Sequence, residues 1–154
     1  MAIKTAAFGT ILTYGDGGSP TEIFTKIASV KDLDGPSLSR DTIDVTSHDS
    51  VSKYREFLAG LKDGGEVTFD IEFDPSDTTH AGTNGLMKMF EDDEPVHFQL
   101  ITTVAATTGY WGFTFSALVT GFEPSMPVED SLKASVTLKI TGPVAGPTDL
   151  TLPA

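Results

Sequence analysis

Residues 65–75 read GEVTFDIEFDP, and their alternation decides the fold class. Val67, Phe69, Ile71 and Phe73 take every second position, with Glu66, Thr68, Asp70 and Glu72 between them. Successive side chains of a strand point to opposite faces, so this segment predicts a half-buried β-strand with one apolar and one acidic face, ended by Pro75. The same period recurs along the chain. In 131–142, SLKASVTLKITG, the residues Leu132, Ala134, Val136, Leu138 and Ile140 face one way and Lys133, Ser135, Thr137 and Lys139 the other. In 95–103, PVHFQLITT, Val96, Phe98 and Leu100 alternate with His97 and Gln99. In 110–124, YWGFTFSALVTGFEP, one side carries Trp111, Phe113, Phe115, Ala117 and Val119. Near the start, 9–15 (GTILTYG) and 22–33 (EIFTKIASVKDL) read as two strands of a hairpin joined by the turn formers DGGSPT. With 41–50 these make about seven strands.

One segment departs from the two-residue period. In 78–95, TTHAGTNGLMKMFEDDEP, Leu86, Met89 and Phe90 are spaced i, i+3, i+4, with Thr78 or Thr79 available as a cap and Pro95 beyond the end. The spacing predicts one short helix over roughly 81–91, weakened by Gly82 and Gly85. The expected fold is therefore mainly β, an antiparallel sandwich or barrel with one short flanking α-helix. Two segments lack periodicity. Residues 47–65, SHDSVSKYREFLAGLKDGG, read as a long connection bearing Tyr54, Phe57, Leu58 and Leu61, an apolar load uncommon in a loop that touches nothing. Residues 142–154, GPVAGPTDLTLPA, hold two Gly-Pro steps and read as a flexible tail.

The chain has 154 residues, the size of one domain. It has no cysteine, which excludes disulfides, thiolate metal sites and a cysteine nucleophile, and no apolar run approaching a signal peptide or membrane span. A soluble protein is expected. Ten basic against 22 acidic residues give a formal charge of −12. That balance argues against gripping a phosphate backbone, where affinity comes from lysine and arginine displacing counterions.

Catalytic and metal signatures are weak. The three histidines, His48, His80 and His97, show no HxH or HExxH spacing. Residues 41–50, DTIDVTSHDS, place Ser47, His48, Asp49 and Ser50 side by side. A hydrolase using His48 and Asp49 would need a nucleophile and base facing each other, which sequence neighbours rarely do. A strand whose Ile43 and Val45 face the core, ending in a polar turn, is the simpler reading. The acidic run 91–94 lacks the spacing of a calcium loop, and 15–20 is followed by no GK[ST] phosphate cradle. Tyr110 and Trp111 offer a platform for a carbohydrate-binding module, although aromatics alternating in a strand more often form core. No cofactor, no metal and no catalytic residue is expected.

The stretch 35–75, GPSLSRDTIDVTSHDSVSKYREFLAGLKDGGEVTFDIEFDP, followed by THAG opening a helix, resembles the tail tube (major tail) proteins of long-tailed bacteriophages. The later strands, 109–142, are similar to the second half of the same domain, so the resemblance spans residues 1–143 and leaves 144–154 as a tail. It implies a structural virion protein, assembled in the host cytoplasm into hexameric rings whose inner strands join into one lumen barrel. Rings stack around the tape-measure protein, tail terminator and distal tail proteins meet the tube ends, and DNA later passes through without specific binding; no membrane is involved. A tube protein of a contractile injection or secretion machine is the near alternative. Within this picture 47–65 is an inter-subunit loop, with Tyr54, Phe57, Leu58 and Leu61 as candidate contacts. Glu66, Asp70 and Glu72 are candidates for an acidic face lining the lumen.

Overall fold

A computed structural model describes residues 8–18, 21–82 and 84–152. The strand that opened the reading is present as β6 (Glu66–Glu72). Val67, Phe69 and Ile71 are essentially fully buried while Glu66 and Thr68 are exposed. Its neighbours are β9 (Lys133–Leu150), paired from Glu66↔Lys139 to Glu72↔Lys133, and β3 (Val30–Asp34). Further strands are β1 (Ile11–Gly15), β2 (Phe24–Lys26), β7 (Val96–Ala105) and β8 (Tyr110–Ser125), giving the antiparallel order β2-β1-β7-β8-β9-β6-β3. Two more, β4 (Ser39–Asp44) and β5 (Phe57–Asp63), pair only with each other.

The connection between β2 and β3 shows how the sheet closes. These strands lie at opposite edges, yet only residues 27–29 separate them. The four steps from Lys26 to Val30 span at most about 14 Å, so the sheet must curl until its edges nearly meet. The predicted second strand, 22–33, thus divides: β2 pairs with β1 as expected, and β3 crosses to the far edge. Hydrogen bonds stitch the seam. Ile27 N–H donates to Leu12 C=O at 3.0 Å and Glu72 N–H to Ser29 C=O at 3.2 Å. Inside the curl, Leu12, Phe98, Leu100, Phe115, Ala117, Val119, Ala134, Val136, Leu138 and Ile140 join the β6 residues in one core.

His80 belongs to this seam. It is buried, its Nδ1 accepts from Asp74 N–H at 3.1 Å, and its Nε2 lies 2.7 Å from Ala28 C=O. A carbonyl only accepts, so Nε2 carries the proton and the ring is neutral. It stacks on Phe73, which in turn meets Phe122 edge-on.

Several expectations need correction. The helix, α1, is shorter than 81–91: it spans Leu86–Glu91 with Gly85 as N-cap. Thr79 is instead occupied at the seam, where its Oγ1 accepts from Ala28 N–H and donates to Asp77. Leu86 and Met89 are buried, whereas Phe90 is half exposed. The tail is strand as far as Leu150, pairing Ala145, Thr148, Asp149 and Leu150 with β8. Beyond Lys139 that half of β9 has no β6 partner, so it is an edge, where Pro143 and Pro147 cost no ladder bond. In β8, register shifts near Gly112 and Thr114 take Trp111 out of the expected apolar side; it is exposed and Phe113 only half-buried.

Candidate assembly surface

The connection read as irregular, 47–65, contains β5, and with β4 it forms a hairpin standing off the barrel. The pairs Thr42↔Ala59, Ile43↔Leu58 and Asp44↔Phe57 define its register, with one extra residue on β5 between Arg40 and Thr42. Opposed residues share a face, so Ile43 and Leu58 lie together on one side and Phe57 beside Asp44 on the other. The correction to Ile43 and Val45 follows: both are exposed on this arm and neither reaches the core. The tip, where the carboxylate of Glu56 accepts from Ser50 Oγ at 2.6 Å and Thr46 Oγ1 accepts from Glu56 N–H at 2.8 Å, is closed by short polar contacts and a 3₁₀ turn at Val51–Lys53.

Apolar exposure concentrates here. Leu61 is 83% exposed, Tyr54 75%, and Phe57 and Leu58 more than half. Leu38, Ile43, Val45 and Val51 extend the patch, so eight of the fifteen large apolar residues exposed among the described residues lie between 38 and 61. Leu38, Ile43, Val45 and Val51 were missed by the sequence reading. Alternation at 41–46 signalled a strand but not which side of it, if any, meets a core. Glycines set where the arm leaves. Gly65 has φ +72°, and a Cβ there would sit 2.1 Å from Ser37 C=O; at Gly64 it would lie 2.5 Å from Ile140 Cγ2.

Glu66, Asp70 and Glu72 share the outward face of β6, as expected, but not as a bare acidic stripe. Across the register, Lys139 opposes Glu66, Ser135 Oγ donates to Asp70 at 2.8 Å, and Lys133 opposes Glu72. Glu72 also pairs with Lys31 from β3, and the Lys31 ammonium holds its carboxyl below the ordinary range. The face is a mosaic of both charges.

The residues that suggested chemistry do not converge. In the polar turn, Ser47 N–H donates to Ser50 Oγ at 3.0 Å and Asp49 N–H to Ser47 Oγ at 3.3 Å, with no bond between His48 and Asp49 side chains. Among the described residues no group of three or more His, Asp or Glu is placed to hold a metal ion. His97 pairs with Glu22 at 2.7 Å on the surface. Tyr110 and Trp111 are strand neighbours pointing to opposite faces, which is no flat platform for a sugar. No helix among the described residues is long and apolar enough to cross a membrane.

What remains is a nearly closed barrel that presents an apolar arm. The family model described as phage tail tube, lambda-like, matches residues 3–147. The chain belongs to that tail tube family. Its fold is shared with solved tubes. The tail of an empty gene transfer agent particle is 20% identical, with a TM-score of 0.67 over 88% of this chain and 92% of that one. The sheath–tube complex of an extracellular contractile injection system gives 19% identity and 0.65 over 92% and 90%. The SPP1 tail tube gives 13% and 0.60 over 86% and 73%. No curated protein sequence matches. For a tail tube protein, the family match also runs past 143, to residue 147, into the supposed tail.

Proposed function

We propose that this tail tube protein joins copies of itself into six-subunit rings that stack into the tube of a phage tail, and that it is a building block without enzymatic activity. The apolar arm is the observation that carries the reading. A monomer rarely leaves so many large apolar side chains of one hairpin in water, and a neighbouring copy is the partner always present. The similar gene transfer agent tail was refined with C6 symmetry, which supports six subunits per ring. Tyr54, Phe57, Leu58 and Leu61 are the proposed inter-subunit anchors.

Glu66, Asp70 and Glu72 are proposed to face the lumen. Interleaved with Lys31, Lys133 and Lys139 they make a charge-balanced mosaic that offers phosphates no continuous basic track. The tape-measure protein inside, and terminator and distal tail proteins at the ends, are the partners such a tube requires. The likeness to an injection-system tube supports a second reading, a tube inside a contractile sheath. Replacing Phe57 and Leu58 together with serine tests the arm. The variant should stay folded and monomeric where the unaltered chain polymerises; tubes of normal yield would refute the anchoring role.

A further inference from the structure

At the base of the arm lies a groove between the hairpin and the free half of β9. Its floor is apolar, with Leu38, Ile140 and Val144, and its rim carries Arg40, Lys62 and Asp63. The two cations are directly opposed across the β4–β5 ladder, where like charges repel, and neither makes an ion pair among the described residues. Asp63 on the same rim lies 3.7 Å from Lys139, so the two cations keep the spot net positive in a chain with 22 acidic residues. It asks for an occupant that is apolar at its tip and acidic beside it.

The chain carries such a segment in the turn that precedes β9. The β8–β9 turn presents Met126, 75% exposed, and Val128, fully exposed, followed by Glu129. Asp130 is held by Lys133 at 2.6 Å, whereas Glu129 has no ion-pair partner among the described residues. The run 91–94 is more acidic, but beside it only Phe90 is an exposed large apolar side chain. From Lys133 to Ile140 β9 covers roughly 25 Å, so turn and groove of one subunit cannot meet. Two complementary surfaces set apart along one element join copies head to tail, in a ring where the rotation closes and in a filament where it does not.

We infer that the groove beside Arg40 and Lys62 receives the Met126–Glu129 turn of a second copy, with Val128 on the apolar floor and Glu129 between the two cations. This rests on the self-assembly proposed above and names one of its contacts. Since the chain has no cysteine, the contact is read by cross-linking. The full chain carrying Leu38→Cys and Val128→Cys should give a ladder of disulfide-linked multimers on oxidation, and Leu38→Cys with Phe90→Cys should not. The ladder is scored whether or not tubes are visible. Hence absence of tubes counts against the assembly reading, and absence of the ladder against this contact. In parallel, Arg40→Glu with Lys62→Glu should cut tube yield at least tenfold, and adding Glu129→Lys should restore most of it. Unchanged yield on charge reversal, or rescue by Asp93→Lys with Glu94→Lys in place of Glu129→Lys, would overturn the assignment.

Discussion

His80 ties the end of β6 to the distant β2–β3 connection: it holds Asp74 N–H and Ala28 C=O and lies against Phe73. Its replacement by alanine leaves a cavity and two backbone groups without their partner. The expected loss is about 3 kcal/mol of unfolding free energy, measurable by urea titration. A loss near zero would mean the seam does not depend on the ring. Near it, Thr79 hydrogen bonds hold the Asp77 carboxyl below its ordinary value, and Ser76 does the same for Asp74. A carboxylate with a depressed folded pKa contributes stability that is present above the unfolded value of 3.8 and lost as pH falls through the folded one. The melting temperature should therefore stay level from pH 7 to about 5 and fall below about 4. Thr79→Val should flatten that acid limb; an unchanged limb would contradict the assignment.

At the scale of elements, Phe57 and Leu58 are already exposed in the single subunit. Their replacement by serine should leave its unfolding midpoint within about 0.5 kcal/mol while removing polymerisation, and a circular-dichroism melt separates the two effects. The arm also shows where the sequence was readable. The strands β6, β7 and β9 were legible because each buries one face against a shared core, so alternation and burial coincide at Val67, Phe98 and Val136. In the hairpin β4 was read as a strand but turned to the core and β5 was not read, because neither face of the hairpin meets that core. Phe57, Leu58 and Leu61 break strict alternation, and the extra β5 residue opposite the step from Arg40 to Thr42 disturbs it further. The exposed Tyr54, Phe57, Leu58 and Leu61 were nonetheless marked out in the sequence, through their excess of apolar side chains. The Gly-Pro steps misled for the opposite reason: proline signals a strand's end only where its N–H would be needed, and Pro143 and Pro147 sit on an edge.

For the molecule as a whole, curling one sheet until residues 27–29 bridge its edges removes most of the unpaired backbone that invites random association. What stays open is selective: the free half of β9, the arm, and the β8–β9 turn. Those surfaces lie outside the core, so a subunit can be stable alone and still be incomplete. Sequence reached the whole-molecule level through resemblance over residues 35–75 more than through periodicity, because an assembly surface has no pattern of its own. The central claim is that this chain builds a tube. Electron microscopy of the purified, unaltered protein across a concentration series tests it most directly. The expected result is hollow tubes or rings whose class averages show six-fold symmetry; a monodisperse monomer at every concentration, with no rings or tubes, would contradict it.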